Sequence, residues 1–380
     1  MNESKLGPWP DLATARSFLG FLAETDSSFD MAAAGIDQKQ VALWLVEQGI
    51  APLAYERCKN EFPDLVHYLQ HDTFSTVAEN SIHWQSVGEI NGAFSTASIP
   101  AVLLKGAALA QTVYPKSDSR TMSDVDVWIR ESDVELSCQI MTDLGYLGLE
   151  KNTRPLPFQL MVDGEIQFHR PGLHQGLVEL HLSPFSGWWL KRTSAIDNDA
   201  IWARNEPLPQ WPSTYQLSAE DSVIHVAVHM TVNHQCGFWV IRSLMDLALT
   251  ANKRIVNWDI VAERANNWRV GNAVWLALNL LQQLVGVRGL EKTLNKLLPP
   301  TWKRQYILKL VNPESVILGS DLRSGRMRYL LLLLLVDRYR DTGHLVYRTL
   351  WPEKSWLNAR YGESIDHWQH LNRVIRLDQS

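Results

Sequence analysis

At 380 residues, with 46% apolar and 20% charged residues, the chain is long enough for two domains, or for one domain with large helical additions, and its composition excludes a disordered protein. A formal net charge of −5 gives no global basic field, so long nucleic acid is not expected as a partner. The three cysteines, Cys58, Cys138 and Cys236, lie far apart without CxxC spacing, which argues against a disulfide framework or a structural zinc site.

The N-terminus has no charged segment followed by an apolar run, so no signal peptide is read there. The longest apolar run, Tyr329 to Val336, is eight residues and too short for a bilayer, which needs about 20. The expectation is a cytoplasmic protein with no membrane span.

From about Asp11 to Phe94 apolar residues recur at three and four, which predicts three or four helices. His67 and His71 form an i, i+4 pair with no third ligand nearby and read as surface or packing residues. Pro100 to Leu104 is a short strand-like run ending in Lys105-Gly106, after which AALAQTVY has helical composition. A strand that turns through glycine into a helix aims free amides and the positive dipole end at whatever lies above the turn, and phosphate suits such a place.

Thr121 to Ile129, TMSDVDVWI, reads as the next strand. Alternation puts Asp124 and Asp126 on one face and Val125, Val127 and Ile129 on the other, toward a core. Neighbouring carboxylates repel unless a cation lies between them, and Mg²⁺ favours one or two carboxylates plus phosphate oxygens. Arg120, just before this strand, suits a phosphate or an acidic neighbour.

A helix from Glu131 to Leu144 follows, closed by Gly145, and then short strands around Tyr146 to Leu149, Glu165 to His169 and Leu177 to Leu182. In the last, Glu179 and His181 share a face. Glu179 is therefore a candidate third carboxylate, with Glu165 as its competitor, and alternation does not choose between them. From Leu217 the pattern is helical again, opening on Ser218 with Asp221 three residues on, as in a capping box. His225 and His229 stand four apart, but Val226 occupies the position where a zincin needs its glutamate. A later helix carries Arg242 and Asp246 four apart. The expected organisation is a helical region over 1–97, a sheet-bearing core over 98–215 and a helical domain over 216–380, without internal repeats or a complete Walker motif.

The run LLKGAALAQTVY, then Arg120, SDVDVWI, a helix, LGY and VELH resembles the uncharacterised nucleotidyltransferases of the DNA polymerase β-type superfamily. The helical stretch LSAEDSVIHVAVHMTVNHQCGFWVIRSLMDLA and the later LVYRTLWPEKSWLNARY are similar too, so the resemblance runs from about Ile99 to Tyr361. It implies an α+β fold, a small mixed β-sheet nucleotidyltransferase core flanked by N-terminal and C-terminal helical regions, with the C-terminal one closing over a nucleotide. Asp124, Asp126 and Glu179 would be the catalytic, metal-binding set, and Lys105, Gly106 and Arg120 would meet the phosphates. His181, His229, His234, Arg242 and Asp246 would wall the substrate pocket or form a buried packing network.

The implied reaction is transfer of a nucleoside monophosphate from ATP or another NTP to a hydroxyl or phosphate of a small molecule, peptide or RNA end, with release of pyrophosphate. Two Mg²⁺ ions roughly 3.5 to 4 Å apart are the expected cofactors, with Mn²⁺ as a substitute. Two other readings stay open: a catalytically inactive nucleotide-binding module, and a metal-dependent glycosyltransferase, since Asp-x-Asp also holds a metal under nucleotide-sugars. The Lys-Gly turn and the VELH strand favour nucleotidyl transfer over glycosyl transfer.

Overall fold

The structure is a computed structural model that describes residues 7–149, 156–172, 176–211, 213–237, 239–319, 323–361 and 365–376. Its single sheet is short-stranded and mixed, surrounded by helices, which makes the fold α+β. The strands are β1 (Ala101–Leu103), β2 (Val125–Trp128), β3 (Leu147–Gly148), β4 (Glu165–His169), β5 (Val178–His181), β6 (Glu206–Pro207) and β7 (Thr214–Gln216), in the order β3-β4-β5-β2-β1-β7-β6. β2 pairs antiparallel with β1 and parallel with β5, and β7 adds parallel to the far side of β1.

Four helices precede the sheet: Leu12–Leu22, Gln38–Glu47, Ala51–Cys58 and Pro63–Thr96. Asp11 and Asp37 cap the first two by accepting backbone N–H groups, and Pro opens the third and fourth, where its missing N–H costs nothing. The far half of Pro63–Thr96 lays Val87, Ile90 and Phe94 against one face of the sheet, where Val125, Val127, Ile129 and Leu103 meet it. On the opposite face Val102, Leu104 and Trp128 join the larger core built by the N-terminal and C-terminal helices. Alternation thus divides β2 between two environments, and Asp126 shares its face with Trp128.

The predicted helix over 131–144 divides into a 3₁₀ turn, Glu131–Asp133, and an α-helix, Val134–Asp143. β6 and β7 and the short helices Leu156–Val162, Trp188–Thr193 and Asn198–Trp202 have no counterpart in the sequence reading, because two to seven residues are too few for periodicity to register. Ser218 does cap helix Ala219–Val228 by accepting from the Asp221 N–H, but the Asp221 carboxylate turns away, accepting from Arg264 Nη1 at 2.8 Å and pairing with Arg204. No helix of the described residues is long and apolar enough to cross a membrane.

Candidate active site

Leu104 is extended, and Lys105 then takes φ +40°, a left-handed backbone that bends the chain from β1 into helix Lys105–Thr112. A non-glycine residue held there costs of order 1–3 kcal/mol and persists only where its surroundings fix it. Here the fixing contact is an ion pair: the Lys105 Nζ lies 2.8 Å from Asp126 Oδ1 and 3.2 Å from His229 Nε2. Nothing caps the helix with a side chain, so its first amides stay available at the turn. Gly106 is required by space, because a Cβ there would stand 2.6 Å from Arg120 Nη1.

Parallel pairing of β2 with β5 makes Asp126 and Glu179 register partners, which sets the two carboxylates side by side on one face. His181, two residues along β5, places Nε2 2.7 Å from Asp126 Oδ1 and 3.5 Å from Glu179 Oε2. Glu165 sits one strand further out, opposite His181, and comes within 3.9 Å of His181 Nδ1. Gln167, between them on β4, donates to Glu179 Oε1. Asp124 lies one residue before β2 and accepts from Ser123 Oγ at 3.1 Å.

All of these except Gln167 line one cavity of about 430 Å³, together with His225, His229, His234, Trp239, Arg242 and Asp246 from the helical part. The sequence candidates Lys105, Gly106, Arg120, Asp124, Asp126, Glu165, Glu179 and His181 all border it. His229 opens a π turn, His229–Asn233, that follows helix Ala219–Val228 without a break. Such turns recur at functional sites because they push one side chain out of helical phase. The His229 and His234 rings meet edge to face, 4.4 Å between centroids.

Arg120 and Arg242 differ in their partners. Arg120 is buried and donates Nε and Nη2 to the two oxygens of Asp246, at 2.8 and 2.7 Å, while Tyr114 Oη donates to Asp246 Oδ1 at 2.6 Å. Arg242, on helix Val240–Lys253 with Asp246, forms no ion pair among the described residues; it donates to the Thr121 carbonyl at 3.2 Å and stacks on Trp239, 4.1 Å from the ring centre. Arg242 and Asp246, four apart on one helix, therefore have different partners.

Electrostatics follow from this packing. Burial pushes the Asp124 carboxyl up to about 6, and the Asp126 charge adds to the rise. Burial works on Asp126 in the same direction, but Lys105 and His181 outweigh it and hold Asp126 well below the usual carboxylate range. Burial disfavours the charged His181 imidazole, yet hydrogen bonds to Asp126 and Glu179 lift it to about 10. The same three acids keep Lys105 charged despite its burial. On the helical side burial holds His225 near 3 and His234 near 4, with Lys105 adding to it, and takes Arg242 down to about 10 with help from Arg120.

One face of the cavity is thus rich in carboxylates and the other is neutral or cationic. Asp126, Glu179 and His181 each offer one ligand atom, all within 4.8 Å of one another, and they are the group among the described residues able to hold a metal ion. His225 and His229 fall outside it. Asp124, raised by burial and by Asp126, is the acid of this cavity that a divalent cation would relieve.

Two site residues carry little sequence signal. Asn80, fully buried mid-helix, donates Nδ2 to the Arg120 carbonyl at 2.8 Å and accepts the Met122 N–H at 3.1 Å, clamping the loop that enters β2. Gln167 could be found as the position between Glu165 and His169 on the same strand, once β4 was aligned with β5.

Acids on the central strands β2 and β5 thus share one cavity with a lysine turn and a helical wall. The model of a family described as uncharacterised nucleotidyltransferase matches residues 34–286, more than half of the chain, and the chain belongs to that family. No curated protein and no solved structure matches it.

Proposed function

We propose that the protein transfers a nucleoside monophosphate from an NTP to a hydroxyl or phosphate oxygen of an acceptor, with pyrophosphate as the leaving group. The observation that carries this reading is the register pair Asp126 and Glu179 beside an uncapped strand-to-helix turn whose lysine reaches Asp126. Asp126 and Glu179 would hold Mg²⁺ or Mn²⁺, with His181 and Asp124 beside them. When bound, the metal supplies Lewis-acid stabilisation of the triphosphate charge.

The chain's own residues account for the rest. The free amides of helix Lys105–Thr112 and the Lys105 ammonium face the phosphates and stabilise charge as it develops on them. Arg242 is the second cation for this work, because Arg120 is occupied by Asp246 and acts by positioning Gly106 and Thr121. Glu179, one oxygen fixed by Gln167, takes the acceptor proton; a new bond forms from the acceptor oxygen to the α-phosphorus as the α–β bridging bond breaks. Neutral His229 and His234 fill the wall without adding charge that would compete for the phosphates.

The test incubates the full chain with each α-labelled NTP, MgCl₂ and the small-molecule fraction of a cell extract. Label transfer with one pyrophosphate per turnover, lost in Asp126→Asn, is expected. Release of a nucleoside diphosphate from a labelled nucleotide-sugar supplied in place of the NTP would move the assignment to glycosyl transfer, and undiminished transfer by Asp126→Asn would overturn it.

A further inference from the structure

The Lys105 ammonium is held from two sides. Its Nζ lies 2.8 Å from Asp126 Oδ1 on the sheet and 3.2 Å from His229 Nε2 on the helical wall, and 14% of the side chain is exposed. An ammonium has donors and no acceptor, so His229 meets it with the Nε2 lone pair and carries its own proton on Nδ1. Burial, and after it the Lys105 charge, keep that ring neutral.

Local structure fixes where the ring stands. His229 is the first residue of the π turn His229–Asn233, and the His234 N–H donates to its carbonyl at 3.0 Å. The His234 ring packs on it edge to face, 4.4 Å between centroids, and the His225 ring lies 6.3 Å away at 61°. On the sheet side the Lys105 backbone is held at φ +40°, which starts the side chain from a fixed point at the head of helix Lys105–Thr112.

Asp126 Oδ1 is fully engaged. It accepts from Lys105 Nζ and, at 2.7 Å, from His181 Nε2, and a carboxylate oxygen has two lone pairs. A divalent cation can use this oxygen only if one donor leaves it. His181 is itself one of the three residues able to hold the ion. Lys105 is the donor with a second acceptor already in place and a flexible stem to move on. Without that acceptor the displaced ammonium would be buried and unbonded, which is costly.

We propose that His229 is a positioning residue for Lys105: it holds the ammonium in the cavity when Asp126 Oδ1 turns to a divalent cation, and so keeps that charge facing the phosphates. Lys105 is then the exchangeable counter-ion of Asp126. The inference rests on the transfer reading, in which Asp126 is a metal ligand.

The probe is Mn²⁺ alone, titrated into the full chain and followed by the electron paramagnetic resonance signal of the free ion. His229→Phe should weaken Mn²⁺ binding at least about tenfold, the worth of one hydrogen bond to a charged group, whereas His229→Gln, whose amide oxygen accepts from the ammonium, should stay within about threefold of wild type. Lys105→Met should bind Mn²⁺ at least as tightly as wild type, and in that background His229→Phe should have no further effect. A ring that served packing alone would give the same loss with or without the lysine. A structure of the wild-type protein with MnCl₂ tests the point without a substitution: Lys105 Nζ should leave Asp126 Oδ1 and stay within hydrogen-bond reach of His229 Nε2. Equal Mn²⁺ affinity of wild type and His229→Phe, an undiminished loss in the Lys105→Met background, or Nζ still on Oδ1 beside bound Mn²⁺ overturns the assignment. Any of these with pyrophosphate release intact leaves the transfer reading standing, whereas a wild type that binds no Mn²⁺ removes both.

Discussion

Arg120 and Asp246, 126 residues apart, meet in a buried two-point ion pair, Nε at 2.8 Å and Nη2 at 2.7 Å, with Tyr114 Oη on the same carboxylate. The pair joins the loop entering β2 to helix Val240–Lys253, and so fixes the acidic face of the cavity against its helical wall. Removing one partner strands a buried charge, which costs about 3–5 kcal/mol. Arg120→Ala and Asp246→Ala should each lose that much in urea unfolding. Arg120→Lys should recover only part, because an ammonium cannot bond both oxygens in one plane. A double variant Arg120→Met, Asp246→Leu that is no more stable than either alanine variant would refute a charge-stranding origin.

Gly106→Ala tests the same pair from the other side. The nearest atom to the added Cβ, Arg120 Nη1 at 2.6 Å, belongs to a flexible side chain that would ordinarily swing away, but Asp246 pins it. A loss of about 1–3 kcal/mol is expected, with transfer activity falling along with it. Gly92→Ala is the control: that exposed glycine lies in helix Pro63–Thr96 with open space around its Cβ position, so alanine should add about 0.5–1 kcal/mol and leave activity alone. Equal effects at both positions would show that the close approach at Gly106 is unimportant.

Much of this arrangement was legible in the sequence. The Lys-Gly turn, the Asp-x-Asp strand and the Glu179–His181 strand were readable because short-range alternation and turn chemistry fix which side chains share a face. The neighbour relations were not. That β5 pairs with β2, making Glu179 rather than Glu165 the register partner of Asp126, depends on a crossover that no local pattern encodes. The three-residue β7 is too short to read, and Asn80 looks like any polar residue on a helix until the loop it clamps is in place. The acidic neighbour open to Arg120 in the sequence is Asp246, 126 residues away, a pairing that no local spacing encodes, and Arg242 turns to Trp239.

Asp124 should trade stability for function. Burial and the neighbouring Asp126 disfavour its charge, so Asp124→Asn should stabilise the metal-free protein by about 1–2 kcal/mol while transfer is lost. Asp126→Asn should do the opposite to stability, because it leaves Lys105 and His181 without their carboxylate. Thermal melts of both variants without divalent metal decide the matter; a shift in the same direction for both would contradict this account.

Metal binding can be read without turnover. Saturating MgCl₂ or MnCl₂ binds the folded state alone and should raise wild-type stability by about 2.7 kcal/mol at a hundred times Kd. Asp126→Asn and Glu179→Gln should abolish the rise, and Glu165→Gln, one strand further out, should keep most of it. A rise that survives Glu179→Gln but disappears in Glu165→Gln would exchange the two acids in this scheme.

Acid should destabilise the protein through His225, against an opposing gain from Asp124, whose raised carboxyl takes up a proton in the folded state from about pH 6 downward. The ring is buried, packs edge to face on Phe185 with 5.4 Å between centroids, and is bonded to the Pro184 backbone; Lys105 and His181 oppose its protonation, Asp126 favours it, and His229 lies beside it. Its pKa falls from an ordinary 6.5 to about 3. Above pH 6.5 both folded and unfolded states hold it neutral and it has no effect. Between 6.5 and 3 the unfolded chain takes up the proton and the folded one does not, so stability falls as pH falls, by about 2 kcal/mol at pH 5. His229 and His234 share the sign, since burial lowers both. Urea unfolding of wild type and His225→Phe at pH 7, 6 and 5 should show the variant at a disadvantage at pH 7 that narrows by about that amount at pH 5. Parallel pH profiles would mean that His225 takes up its proton in the folded protein as readily as in the unfolded chain.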